Sequence, residues 1–279
     1  MNKKFLFGLV VLILLPFSVV AGDISPWEAK LPFKNATVHY TISGMQNGSE
    51  VTYIRDYGRE MATYHTTKIT MMGMTMVEET VDITTPEWEY RFDLTEKTGT
   101  KSVNPTKYMI EEYNKLSRAE KKQIKKNSEK MGTSTVEGLG GNVQQNVKKI
   151  LGYSCDRADM MGSVVYSIHG SQFPLLIESN MMGMKMKVEA TSVDEGKVAD
   201  TFFQFPQGIE IEYDSQSDAI AREVANQTIA MLKDPENAAK KGVMPMMPGQ
   251  QPEMSPEDQE QMQQAMEMLK GMFGTQPQQ

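Results

Sequence analysis

The sequence predicts an α+β fold, a curved antiparallel sheet with helices packed on one side of it. Two stretches, residues 36–95 and 151–213, are rich in Val, Ile, Thr and Tyr in alternation, and the block at 104–130 between them changes to three- and four-residue apolar spacing. The breaks carry short turn signals, among them Gly44, the Asn47-Gly48 pair and Gly58. Strands, a helical insertion and strands again form one layered domain rather than a series of βαβ units.

The chain opens with Met1-Asn2-Lys3-Lys4, an apolar stretch over 5–20 and the small residue Ala21. That order is a secretory signal peptide cleaved near Ala21, so the mature protein is expected in the periplasm or outside the cell. The rival reading, an uncleaved anchor, meets Pro16 and a stretch shorter than the ~20 apolar residues of a spanning helix. No stable membrane span is expected after cleavage. Cys155, the only cysteine, is far from the cleavage point, so a lipidated N-terminus is not expected and the thiol reads as a buried small hydrophobe. Cleavage removes Lys3 and Lys4 from the 29 basic side chains and none of the 36 acidic ones, taking the formal charge from -7 to -9. Such a balance excludes nucleic acid as the expected partner.

Within the first strand region, residues 37–42 and 80–84 alternate cleanly, and Trp88, Tyr90, Phe92 and Leu94 recur at every second position. Four large apolar groups on one sheet face must be covered. The insertion begins near Pro105, spaces Tyr108, Met109, Tyr113 and Leu116 for a helix, and starts a second helix with the capping box Ser117-Arg118-Ala119-Glu120. Its basic run, from Arg118 to Lys130, reads as a solvated face or as a membrane-facing patch. Strand signals return at 163–169, 174–182, 184–191, 199–205 and 209–213, with Asp194-Glu195-Gly196-Lys197 as a hairpin turn.

The expected organisation is a signal peptide over 1–21, a lead over 22–34, the sheet domain over 35–214 with its insertion at about 105–131, and a helix over 215–234. A Met/Pro/Gln-rich tail over 235–279 is expected to be largely disordered, because its composition buries too little apolar area to offset ordering entropy. A short helix at about 256–273 would place Met262, Met266, Leu269 and Phe273 on one face as a partner-binding stripe.

Methionine supplies 24 of the 279 residues, and one hexapeptide occurs nearly twice, MMGMTM at 71–76 and MMGMKM at 181–186. Read as strands, these put Met72, Met74 and Met76 on one face, and Met182, Met184 and Met186 likewise. Pointing inward, six such side chains would contribute on the order of 10 kcal/mol of burial. Three readings follow: a filled core, a lining for a lipid, and a thioether site for Cu(I). Exposed loops suit copper better than buried strands do, so the strand reading favours the lipid, and no metal or other cofactor is assigned.

His39, His65 and His169 stand singly in strand contexts, and the mature chain has no HExxH, GxSxG, P-loop, CxxC or Rossmann pattern. No enzyme is expected.

The order of several short stretches resembles the LolA-like, outer-membrane lipoprotein carrier superfamily, and within it a bacterial exported domain family of unknown function. They are Val51-Thr52-Tyr53-Ile54-Arg55 leading to Gly58-Arg59-Glu60, Trp88-Glu89-Tyr90-Arg91-Phe92-Asp93 with Lys97-Thr98-Gly99, Ile150-Leu151-Gly152-Tyr153-Ser154-Cys155, Phe173-Pro174-Leu175-Leu176 and Phe203-Gln204-Phe205-Pro206-Gln207-Gly208-Ile209. The resemblance implies a half-barrel of about eleven antiparallel strands with helices lidding a hydrophobic cavity, and it implies that Arg59 stabilises the lid. With the Met triplets, Trp88, Tyr90 and Phe92 would line that cavity. The expected function is a periplasmic, non-enzymatic protein that binds a lipid, an acyl chain or a lipidated partner. The alternatives are a Cu(I)-binding envelope protein and an interaction or stress-sensing module.

Overall fold

The computed structural model describes residues 25–27, 31–71, 74–138, 141–160, 162–181 and 183–235. The expected signal peptide and nearly all of the tail, with Met262, Met266, Leu269 and Phe273, lie outside the described residues, as do Met72 and Met182. In chain order the elements are β1 (Ala36–Gly44), β2 (Asn47–Arg55), β3 (Glu60–Met71), β4 (Met74–Thr84), β5 (Trp88–Asp93), β6 (Thr98–Val103), α1 (Pro105–Asn114) and α2 (Arg118–Gly138). They continue with β7 (Asn142–Ile150), β8 (Tyr153–Met160), β9 (Ser163–Ile168), β10 (Pro174–Met181), β11 (Met184–Glu195), β12 (Ile211–Tyr213) and α3 (Ser215–Lys233).

Among the described residues, twelve strands join one open sheet in the order β12-β6-β5-β4-β3-β2-β1-β11-β10-β9-β8-β7. Every pairing is antiparallel except the three-residue β12 beside β6. Two runs of hairpins, β1 to β6 and β7 to β11, therefore meet along β1 and β11, with Ala36 opposite Glu195 and Ile42 opposite Val188.

Three apolar clusters hold the domain. Ala36, Val38, Tyr40, Ile42, Ile54 and Val188 pack with Leu31, Phe33, Cys155 and Leu175 over the central strands. On the other face of β3 to β5, Ala62, Val81, Ile83 and Phe92 are covered by Phe203, Ile209 and Ile211. The helices form the third cluster, in which Tyr108, Tyr113, Ile124, Ala225 and Leu232 surround Trp27 and Val103. Their apolar faces thus meet one another and the end of β6, and α2 also touches β7 and β8. No helix among the described residues is long and apolar enough to cross a membrane.

The helix signals act as their chemistry requires. Asn104 accepts from the Thr106 amide at 2.9 Å ahead of Pro105. Glu120 accepts from the Ser117 amide and hydroxyl at 2.9 and 2.7 Å, and these bonds hold its carboxyl down at about 2. Asn127 Nδ2 donates to the Leu232 carbonyl at 2.7 Å and ties α2 to α3.

Two expected elements differ. The stretch at 199–205 is a 3-10 turn over Asp200–Phe203 with irregular flanks, not a strand, and 194–197 is not a hairpin turn. The cause is the topology, since β1 and β10 already occupy both edges of β11 and no following strand can pair there. Instead Phe202 stacks on Tyr53 at 3.7 Å, and Phe205 lies 4.5 Å from Tyr90. The segment covers the aromatic face from above.

Candidate binding end of the sheet

Neither hexapeptide is a single strand; each is divided between the paired ends of two strands of a hairpin. Met71 pairs with Met74 and Met181 with Met184, which leaves only Met72-Gly73 and Met182-Gly183 between the paired strands. Gly183 has φ +83°, the left-handed conformation that a tight two-residue connection needs and that glycine adopts without cost from a Cβ. A third copy of the same tripeptide, Met160-Met161-Gly162, makes the β8–β9 connection, with Met160 opposite Ser163 and Gly162 at φ +81°.

Antiparallel order brings these connections to one end of the sheet. Reading across, the β3–β4, β1–β2, β10–β11 and β8–β9 hairpins stand side by side, and Met45 occupies the β1–β2 tip. The Met45 amide donates to the Lys185 carbonyl at 2.9 Å, linking two of the tips. Gly44, at φ +111°, allows this approach, because a Cβ there would lie 2.1 Å from the Lys185 carbonyl oxygen. Helix α1 starts from Val103, at the opposite end of the sheet.

Pairing also fixes the faces. Met76 is opposite Ile69, Met186 is opposite Gly44 and Ser179, and Val188 is opposite Ile42 and Ile177. Met74, Met76, Met184 and Met186 therefore share the face of the Tyr40 and Ile42 core. They do not share the face of Trp88, Tyr90 and Phe92, since Phe92 is opposite Val81 and Tyr90 is opposite Ile83. The two groups of expected lining residues lie on opposite sides of the sheet.

Burial differs from expectation in the same way. Met74 is 69% exposed, Met76 58% and Met184 48%, and Met186 alone among the described triplet members packs partly against the central core. A strand end that overhangs its neighbours has nothing above it to bury against. Phe92 is fully buried, Tyr90 packs against Phe205, and Trp88 has the Lys101 ammonium 3.6 Å from its ring centroid. Their face is occupied by the chain itself. Between the β1–β2, β10–β11 and β8–β9 tips lies a depression of about 340 Å³ lined by Gly44, Ser179, Lys185, Met186 and Lys187.

Arg59 sits on the β2–β3 turn, half-exposed, with its guanidinium 3.5 Å from Asp56. A neighbouring cation fastens the covering segment: Arg55 reaches Asp200 at 2.9 Å, donates to the Ala199 carbonyl and lies 3.8 Å from the Phe203 ring centroid. Sequence reasoning passed over Arg55, and its place at the strand end, two residues after Tyr53, was the available signal.

Sequence reasoning also passed over a polar patch on the Met-bearing face of β2 to β5. His65 Nδ1 and Glu50 Oε2 are 3.1 Å apart, and Asp82 faces Arg91 at 3.7 Å. Nearby Glu89 is pushed up to about 7, first by burial and then by the Asp82 charge. Thr67 is fully buried with its hydroxyl unpartnered. Each of the other histidines has one acidic neighbour, Asp156 at 2.7 Å from His169 and Asp194 at 3.9 Å from His39, and no group of three His, Cys, Asp or Glu able to hold a metal occurs among the described residues.

No family model matches the chain, and no curated protein matches it. Among solved structures, an uncharacterized conserved protein from Thermus thermophilus is similar at TM-score 0.39 and 6% identity, over 66% of this chain and 92% of that one. PNGF-II is similar at TM-score 0.35 and 12% identity, over 71% of this chain and 33% of that one.

Proposed function

We propose that the chain is an exported, non-catalytic binding protein that holds a lipid, or the acyl chain of a lipidated partner, at the methionine-bearing end of its sheet. The observation that carries this reading is the row of four adjacent hairpin tips, three of them built on a Met-Met-Gly sequence, with Met74, Met76 and Met184 open to solvent. Large exposed thioether side chains gathered at one place are a liability in a protein with no partner, and they suit an irregular apolar one. Each methylene hidden from water is worth ~0.8 kcal/mol, so even part of an acyl chain laid across the tips would give useful affinity.

The likeness to lipoprotein carriers belongs to the same proposal. Its support is the single antiparallel-rich sheet, the helices that touch β6 on one side and β7 and β8 on the other, and the order of short motifs. In this reading Arg55, rather than Arg59, does the work of an early-strand arginine that pins a cover to the sheet.

The test is mass spectrometry of organic extracts of the mature protein, with titration of a fluorescent fatty acid. Replacing Met74, Met76 and Met184 by Gln should weaken binding at least tenfold, and replacement by Leu should preserve it. An extract free of lipid together with no binding at micromolar protein ends the proposal.

A further inference from the structure

We infer that each of the two MMGM hairpins is a binding site for a soft monovalent metal ion, Cu(I) or Ag(I), taken up by thioether sulfur. This goes beyond the lipid reading and does not depend on it. In the β3–β4 hairpin, Met71 and Met74 are register partners, and Met76 stands two residues further along the face of Met74. The β10–β11 hairpin repeats the arrangement with Met181, Met184 and Met186.

Register partners in an antiparallel pair hold their Cβ atoms ~5 Å apart, and second neighbours along a strand stand ~7 Å apart. Methionine is unbranched and has three rotatable bonds, so sulfurs starting from such a triangle can converge on one ion. Thioether is a soft, uncharged donor that selects Cu(I) over hard cations such as calcium and magnesium, which take oxygen.

Access is the second requirement, and the exposure of Met74, Met76 and Met184 meets it. An ion reaches these sulfurs from solvent with no opening of the core, in contrast to the sulfur of Met109 within the helical cluster. The ground on which the strand reading disfavoured a metal, burial of the triplets, is therefore removed by the hairpin geometry.

The two sites are not equivalent. Met76 is flanked by Thr75 and Val77, and Glu78 follows on its own face; Met186 is flanked by Lys185 and Lys187. Strand alternation sets Lys185 and Lys187 on the other face of β11, with Lys187 paired to Glu189 at 2.6 Å, whereas the Glu78 carboxylate shares the face of Met76 and attracts a bound cation, so the β3–β4 site is the tighter one. Neither site uses a titratable ligand. Uptake should be independent of pH between 5 and 8.

The experiment titrates full-length mature protein with Cu(I) under anaerobic conditions against a chromophoric Cu(I) chelator. It compares the wild type with M71L/M74L/M76L, M181L/M184L/M186L and the six-Leu combination. Leucine keeps the apolar volume and removes the sulfur, so acyl binding survives in these variants and failure of one proposal is distinguishable from failure of the other. Each triple should remove one equivalent of copper, the first triple the tighter one. An unchanged stoichiometry in the six-Leu variant, which would place all binding in the tail methionines, overturns the inference, as does a wild type that takes up no copper.

A second readout uses protein labelled with 13C at the methionine methyls and titrated with Ag(I). The signals of Met74, Met76 and Met184 should shift first, with those of the buried Met109 and Met231 unmoved. Movement of the buried signals without the exposed ones overturns the assignment.

Discussion

Replacing Glu89 with glutamine should remove a pH dependence of stability that this carboxyl creates. Glu89 lies on β5 opposite Thr84 and Ser102, half-buried on the polar side of the sheet, and it is raised from 4.5 to about 7 by burial and then by Asp82. In the unfolded chain it loses its proton near 4.5, whereas in the folded protein it keeps that proton until about 7. Over this window the folded state binds more protons. Its contribution is therefore fully present below the lower value, declines as pH rises, and is gone above the upper one. At ~1.4 kcal/mol per pH unit the full gap corresponds to ~3.4 kcal/mol. Because the side chain is partly open to water, screening reduces this to about 1–2 kcal/mol. The assay is urea denaturation of wild type and E89Q at pH 5, 6, 7 and 8. The stability of E89Q relative to wild type should increase by about 1–2 kcal/mol from pH 5 to pH 8, and titrating groups that do not interact with Glu89 cancel in that difference. A difference that is flat across this range, or that grows toward acid, refutes the argument that Glu89 is held neutral by its surroundings.

Arg55→Ala should cost about 1–2 kcal/mol, through the lost contact with the Phe203 ring and the lost ion pair to the well-exposed Asp200. The same change should speed proteolytic cleavage within 199–205, and an unchanged cleavage rate would show that the stacking of Phe202 on Tyr53 suffices to hold the segment. Gly44→Ala places a Cβ 2.1 Å from the Lys185 carbonyl at a backbone angle of φ +111°. A loss of about 1–3 kcal/mol in thermal or urea denaturation is expected. Cys155 is fully buried, and burial is the first cause of its raised thiol pKa. It should react with an aromatic disulfide reagent at pH 8 only along the urea unfolding transition, and stoichiometric labelling of the folded protein would contradict that burial.

The elements that were legible in the sequence are those whose signals are local. The Ser117–Glu120 capping box, Pro105 at a helix start and the alternation of Trp88, Tyr90 and Phe92 each fix a structure within a few residues. They stand where expected. The hexapeptides read as strands because Met72, Met74 and Met76 alternate in sequence whether the chain runs straight or reverses between Met71 and Met74. Only the Gly, in three copies of Met-Met-Gly, distinguishes the two. Whether the Met positions of β4 share a face with the aromatic positions of β5 depends on the parity of the connection at 85–87, where one residue more or less reverses the answer. The segment at 199–205 has the composition of a strand and lacks an edge to join, a fact set by the pairing of β11 with residues more than a hundred positions away. The polar patch was hidden for the same reason: Glu50, His65, Asp82 and Glu89 come from four strands, and no spacing in the chain marks them as neighbours.

The junction of β1 with β11 has a consequence for how the molecule is made. Ala36 and Glu195 are partners, so the first strand to leave any machine that delivers the chain N-terminus first must wait for nearly the whole domain before its second edge is filled. Until then β1 ends a half-built sheet, and Val38, Tyr40 and Ile42 lack the Val188 and Ala190 that complete their cluster. Closure of this seam should be the slow, late event of folding, with β1 to β6 already formed. A nascent chain stalled short of residue 184 would leave β1, with its four buried residues Ala36, Val38, Tyr40 and Ile42, at an open edge, the stage at which aggregation competes with folding.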